Sequence, residues 1–310
     1  MQLYEVTAEE YAQAGFYAHV YNTPEFSELN KTKTNGVHYI LIKDNKTRFS
    51  IVLGEKGDSM CSPFSAPYGG FNMKTPQRIA YMDEAAALLK DWGKSHDKKI
   101  KITLQPSVYD NTQLSKWANV MFRNGRLTNI DLNYHFDLSI FPHYEDFIDR
   151  SARKNLHKAL AENFIITHLD SSNADDISRA YGVISINRKE HGYPLRMSLQ
   201  DVADTVKIID ADFFVVSHNG TDVAAAQVFK VTEDVAQVIY WGDLKEYSNL
   251  RTMNFLAYKI FGYYYKKGFR ILDIGPSTED GVPNNGLCDF KEAIGCSVTQ
   301  KLFFELRRLQ

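Results

Sequence analysis

The sequence is poor in cysteine and has no long apolar run, and both scarcities exclude something. Of 310 residues only three are cysteine, Cys61, Cys288 and Cys296. The number is odd, and neither a CxxC pair nor the Cys/His spacing of a zinc site occurs, so a disulfide framework and a zinc ribbon are excluded. The three read as free thiols in a reducing compartment. No run of about 18 apolar residues exists, so no transmembrane helix is expected. The opening MQLYEVTAEEYAQ has acidic residues where a signal peptide needs a basic start and an apolar stretch. A cytoplasmic location is the simplest expectation. Neither sign of charge is in excess: 36 Lys plus Arg against 38 Asp plus Glu give −2. That excludes a globally basic nucleic-acid coat and leaves room for a local basic patch. HExxH, GxSxG, GxxxxGK[ST] and a GxGxxG after a strand are all missing, and the histidines show no ligand spacing. Metalloprotease, serine hydrolase, P-loop NTPase and dinucleotide-dependent dehydrogenase lose support.

What is present is material for a core. Hydrophobic residues make up 44% and charged residues 24%, with 18 Tyr and 19 Phe. Such a chain folds, and its rings suit strands or a cleft that grips a substrate by ring faces. At about 150 residues per domain the length predicts two domains or one large one.

The pattern predicts a first helix from Thr7 to His19, opened by a capping box of Thr7 and Glu10. A hairpin follows over Val37 to Leu53, turning at Asp44-Asn45-Lys46. After a Pro/Gly loop from Ser62 to Phe71 come a helix (Pro76 to Ser95), a strand (Ile100 to Leu104), a helix (Thr112 to Arg123) and a strand (Ile130 to Leu138). The second half reads as a helix (Tyr144 to Asn163), a strand (Phe164 to Leu169) and helices at Ala174 to His191 and Ser198 to Ile209. A meander over Phe213 to Trp241 turns at Asn219-Gly220. It leads to a helix (Thr252 to Lys267), a strand (Phe269 to Ile274), a helix (Leu287 to Ile294) and a last strand (Val298 to Leu306). Each half thus runs hairpin, long helix, short strand ending in Pro-Ser, helix, strand, with the Pro-Ser pairs at Pro106-Ser107 and Pro276-Ser277. The repeat predicts two related domains, 1–141 and 142–310, packed around a shared cleft.

A meander running into helix, strand, helix and strand is the element order of a GNAT acyltransferase. The segment Asp273-Ile274-Gly275-Pro276-Ser277, then Gly281, Gly286-Leu287 and Phe290-Lys291-Glu292-Ala293-Ile294-Gly295, resembles the C-terminal signature of the FemAB-like proteins. Those are double-GNAT aminoacyl or acyl transferases, many linked to cell-envelope synthesis. The loop from Ser62 to Phe71 resembles the Pro/Gly loop of their first domain. The resemblance implies an α/β fold of two tandem GNAT-like domains around mixed sheets. It implies transfer of an acyl group from aminoacyl-tRNA or acyl-CoA, as co-substrate rather than tightly bound cofactor, to an amine. The acceptor would be a small or nucleotide-linked molecule; tRNA is an expected partner and DNA is not. The alternative is a double-GNAT fold that has lost turnover and binds a ligand or partner.

Several residues are candidates for the chemistry, each with a plainer reading beside it. Acyl transfer to an amine passes through a tetrahedral oxyanion, which a fixed cation stabilises in a dry site. In Fem-type enzymes the lysine of the FK motif has that role, and Lys291, read as opening a helix after a Gly-rich loop, corresponds to it. The plainer reading is a surface lysine paired with Glu292 or Asp289. Asp273, at a strand end where GNAT sheets split, would position an amine or accept its proton, or else cap the following turn. Tyr240 would serve as general acid or simply line a wall with Trp241 and Phe290. Ser277 and Thr278 would hold a phosphate or carboxylate, or only order their loop. Tyr68, Gly69 and Gly70 of the Pro/Gly loop would lie against the acceptor. In the helix from Tyr144, residues Arg150, Arg153, Lys154, His157 and Lys158 share one face, with Asp146 and Asp149 in the first turn. That stripe would hold a polyanion such as tRNA, or be a solvated face. Where acyl-CoA enzymes carry a Gly-rich pyrophosphate loop, this chain has Leu250-Arg251-Thr252-Met253-Asn254-Phe255 and no glycine. Acyl-CoA binding in the usual way is therefore disfavoured.

Overall fold

The computed structural model describes residues 1–306. The elements run β1 (Gln2–Val6), α1 (Ala8–Ala14), α2 (Pro24–Leu29), β2 (Val37–Lys43), β3 (Thr47–Lys56), β4 (Ser59–Ser62) and β5 (Asn72–Met73). Next come α3 (Ile79–Ser95), β6 (Lys99–Thr103), α4 (Asn111–Asn124), β7 (Gly125–Asp137), α5 (Arg150–Leu160), β8 (Phe164–Leu169), α6 (Ala174–His191) and α7 (Leu199–Thr205). The remainder is β9 (Ala211–His218), β10 (Thr221–Lys230), β11 (Val235–Asp243), α8 (Thr252–Lys266), β12 (Ile271–Pro276), β13 (Thr278–Glu279), β14 (Val282–Pro283), α9 (Asn285–Ala293) and β15 (Ser297–Leu306).

These elements form two compact units. The first comprises residues 1–132, 278–282 and those from 299 onward; the second comprises 133–277 and 283–298. The first unit's sheet has the order β1-β2-β3-β4-β6-β15-β7. Alternation along β2 sorts its two faces. Ile40 and Ile42 join Met82, Leu89, Trp117 and Val120 from α3 and α4, while Tyr39 and Leu41 pack with Tyr11 of α1. The capping box at Thr7 and Glu10 is formed, and α1 ends at Gly15, whose φ of 65° is the left-handed conformation glycine adopts without penalty. That stop comes before the predicted end at His19.

The second unit's sheet runs β7-β12-β11-β10-β9-β8. Its meander of β9, β10 and β11 is almost wholly buried, and α6 spans the predicted residues without change. In both units the last meander strand pairs in parallel with the strand that follows the long helix: β4 with β6, and β11 with β12. A parallel pair needs a crossover, which α3 and α8 supply. This shared arrangement is the structural content of the repeat seen in the sequence.

One predicted helix is broken. Leu138–Asp146 is a 3-10 segment, and α5 begins only at Arg150. The cause is tertiary: the Asp149 N–H donates to the Ala293 carbonyl at 3.0 Å instead of to a preceding turn. Asp146 and Phe147 therefore lie outside the helix, and Asp149 is its N-cap rather than part of its first turn. No helix among the described residues is long and apolar enough to cross a membrane.

Candidate active site

In the second unit β11 and β12 part company. They pair only over Val235, Ala236 and Gln237 against Ile271, Leu272 and Asp273. Beyond these residues β11 continues to Asp243 without β12. A bulge in β11 accompanies the parting: Gln227 faces Tyr240 and Val228 faces Val238, so Ile239 is the extra residue. On its other side β12 pairs with β7, and that ladder is irregular between Asp273 and Pro276. The end of β12 thus has backbone groups with no strand to bond, and they must find partners elsewhere.

Two buried side chains supply them. Asp273 is wholly buried. Its Oδ1 accepts the Gly275 N–H at 2.9 Å and the Asn133 amide at 2.8 Å, and its Oδ2 accepts the Gln237 amide at 2.8 Å. The side chain therefore does cap the turn after the strand. Lys291 is only 4% exposed. Its Nζ donates to the carbonyls of Ile274 and Gly275, both at 2.9 Å, and of Pro276 at 3.1 Å. The surface reading of Lys291 is thereby overturned: Glu292 instead accepts from the Tyr134 hydroxyl at 2.8 Å. Lys291 also lies in the last turn of α9, not at a helix start. Burial pulls its pKa down from 10.5 to about 8, and the charge of Arg188 pushes the same way.

The aromatic residues converge on the same strand ends. Trp241 and Phe290 meet edge to face with centroids 6.4 Å apart. The Tyr240 hydroxyl accepts the backbone N–H groups of Arg196 and Met197 at 3.0 and 3.2 Å, which holds the segment between α6 and α7. Asp243, at the end of β11, is pushed up to about 6 by burial. Near neutral pH it is a carboxyl suited to proton transfer. The structure thus brings Asp273 and Lys291 together at the end of β12, through Gly275, and Trp241 against Phe290, while Tyr240, the neighbour of Trp241 on β11, meets Arg188 of α6.

The other sequence candidates lie elsewhere or serve structure. Ser277 is buried, and its hydroxyl finds no partner. Thr278 belongs to the first unit, where its hydroxyl donates to Asp131 at 2.9 Å and accepts the Leu132 N–H, so it orders its loop. Tyr68, Gly69 and Gly70 are all buried within the first unit. The Tyr68 hydroxyl bonds Tyr109, and the Gly69 N–H donates to Thr103. The first unit also has an open cavity of about 470 Å³ lined by Lys101, Arg126, Thr128, Asn129, Asp280 and Glu305 among others. Pro63 of the Pro/Gly loop lines it, whereas Tyr68, Gly69 and Gly70 do not. On α5, Arg150, Arg153, Lys154, His157 and Lys158 are all exposed. Arg153 donates to the Glu145 carbonyl, and Lys158 donates to Asn249 O at 2.8 Å.

The sequence places Asp243 with Tyr240 and Trp241 at the end of the meander without giving it a role, and Arg188 and Gln227 escaped the sequence reading. Helix phase would have exposed Arg188, because it follows Ile184 by one turn and Ile184 is buried. Gln227 could have been flagged as an amide inside the apolar run of β10.

No family profile matches the chain, and no curated protein does. Solved structures do resemble it. FemX is 12% identical, with 99% of this chain and 98% of that one covered at a TM-score of 0.72. The C-terminal domain of a putative lysylphosphatidylglycerol synthetase from Agrobacterium fabrum is also 12% identical, covering 97% and 93% at 0.63. A tandem GNAT protein from the clavulanic acid biosynthesis pathway is 10% identical, covering 100% and 99% at 0.55. Identity this low speaks for the fold alone. With two parallel-paired units and a split between β11 and β12, the chain has the FemAB-like, double-GNAT fold.

Proposed function

We propose that this protein is an acyltransferase that moves an aminoacyl or other acyl group from a carrier to an amine, as in the building of cell-envelope precursors. The observation that carries the reading is the buried ammonium of Lys291 at the head of the β11–β12 split. In the reaction the amine nitrogen bonds to the acyl carbon, and the bond from that carbon to the carrier's oxygen or sulfur breaks. One proton leaves the nitrogen, and one reaches the departing group. Of the three hydrogen bonds of Lys291, that to Pro276 is the longest and least buried. It is the one to yield when an oxyanion forms, and the cation beside that oxygen is worth several kcal/mol in a dry site. Asp243, at the end of β11 with a carboxyl that burial pushes up to about 6, would take the amine proton.

Aminoacyl-tRNA suits the site better than acyl-CoA. The segment before α8 lacks the glycines of a pyrophosphate cradle, and Lys158 from the basic face of α5 reaches that segment at Asn249. Exposed cations at that point suit a phosphate backbone. A second reading, binding without turnover, draws on the saturation of Lys291 by three carbonyls. Incubation with charged tRNA, acetyl-CoA and longer acyl-CoAs in the presence of amine acceptors separates the two. The transferase reading expects acylated product, lost in Lys291→Ala while the circular dichroism of the fold persists. Binding with no product from any donor overturns it. Replacing Arg153, Lys154 and Lys158 with Ala is expected to weaken tRNA binding and to lower its salt slope by up to about two; unaltered affinity removes α5 from the donor site.

A further inference from the structure

One cation at the split has no counter-charge. Arg188 projects from α6, its guanidinium 5.1 Å from the centre of the Tyr240 ring and 5.7 Å from that of Tyr193. Its Nε is buried and meets no acceptor among the described residues. Among the described residues no carboxylate pairs with it; only the two tyrosines favour its charge, and burial opposes it. A second cation, Lys291, is near enough for the two charges to repel. The guanidinium is half-buried with its Nε shut off from water, and a like charge nearby raises the cost of leaving that N–H unpaired. Beside it stands another orphan. Gln227 is wholly buried, and neither its amide nitrogen nor its oxygen has a partner. In the β10–β11 register Gln227 lies directly opposite Tyr240, so the two side chains share a face of the sheet. Unsatisfied buried polar groups are rare. Here two neighbour the same tyrosine.

Resting on the transferase reading, we propose that Arg188, with Gln227 beside it, binds a carboxylate carried by the amine acceptor. A planar guanidinium offers paired N–H groups that match a carboxylate's two oxygens. The donor's phosphates belong at Lys158 and the start of α8, so the anion met by α6 belongs to the other substrate. The acceptor is then an amino acid, or a peptide with a free carboxylate near its amine.

The test uses the full chain. The Nε–H signal of Arg188, assigned by its loss in Arg188→Lys, is followed by NMR during titration with glycylglycine, glycylglycinamide or inorganic phosphate. Glycylglycine is expected to shift it and to bind about 30-fold or more tightly than the amide, which lacks the carboxylate. Arg188→Met is expected to abolish that difference without lowering the melting temperature, because it removes a half-buried charge that has no counter-charge. A purely structural arginine would show the reverse. Equal binding of the two peptides, no binding of either, tighter binding of phosphate, or a lower melting temperature in Arg188→Met overturns the proposal. The two readings fail separately. Carboxylate binding with no transfer from any donor refutes the transferase and leaves Arg188 its ligand. Transfer with the same KM for acceptors with and without the carboxylate does the opposite.

Discussion

Replacing Lys291 with Met tests the electrostatics of the split through pH. In the folded protein burial holds the ammonium at about 8, against its ordinary 10.5. Between those values the unfolded chain keeps the proton that the folded chain has released. The unfolded state then binds more protons, so folding stability contributed by this group rises with pH through the window. The penalty is fully present below pH 8 and gone above 10.5. At about 1.4 kcal/mol per pH unit, the difference amounts to roughly 3 kcal/mol. The assay is urea unfolding of the natural protein and of Lys291→Met at several values from pH 7 to 10.5. The other titrating groups are common to both chains, so the stability difference between them isolates Lys291. It is expected to shift by roughly 3 kcal/mol in favour of the natural protein as pH rises. A difference that stays flat, or that moves the other way, refutes the idea that burial dominates this ammonium.

Three further outcomes follow from the geometry. Asp243→Asn should remove a stability contribution of about 3 kcal/mol that is present below pH 3.8 and lost as pH rises to about 6, because the folded carboxyl holds its proton longer than the unfolded one; unfolding curves at pH 4 and 7 would show it. Asp273→Asn puts an amide where Asn133, Gln237 and the Gly275 N–H all donate. Two donors must then face each other, and stability should fall by about 1–3 kcal/mol in denaturant titration. Gly69→Ala places a methyl 2.6 Å from Ser62 Oγ and 2.7 Å from the Pro63 nitrogen, so a loss of about 1–3 kcal/mol or more is expected; an unchanged melting temperature would contradict the packing of that loop.

Local chemistry was legible in the sequence wherever it acts alone. The Thr7–Glu10 box, the Asn219-Gly220 turn and the bounds of α6 depend on neighbours a few residues away, and the structure has them. The false start of α5 shows the limit. Its pattern from Tyr144 is helical, yet Ala293, far along the chain, takes the Asp149 N–H. Lys291 shows the same limit for a site. A lysine beside two acids reads as a surface residue, and only the free carbonyls of Ile274, Gly275 and Pro276 make its burial tolerable. Asp273 was readable as a cap because its Gly275 partner is two residues away; Asn133 and Gln237 were not. Arg188 and Gln227 left no pattern of pairing, since each lacks a partner, and only helix phase and an amide in an apolar run pointed to them.

The place of β15 has a consequence for how the chain comes to be folded. It lies between β6 and β7 in the first unit's sheet, although in the chain it follows every strand of the second unit. Until it arrives, Ile100, Ile102 and Leu127 have no central neighbour, and Phe304 and Leu306 are missing from their cluster. The first unit, begun with β1, therefore cannot close until the chain has been made through β15. The second unit, whose residues are almost all made by then, has the opportunity to fold first.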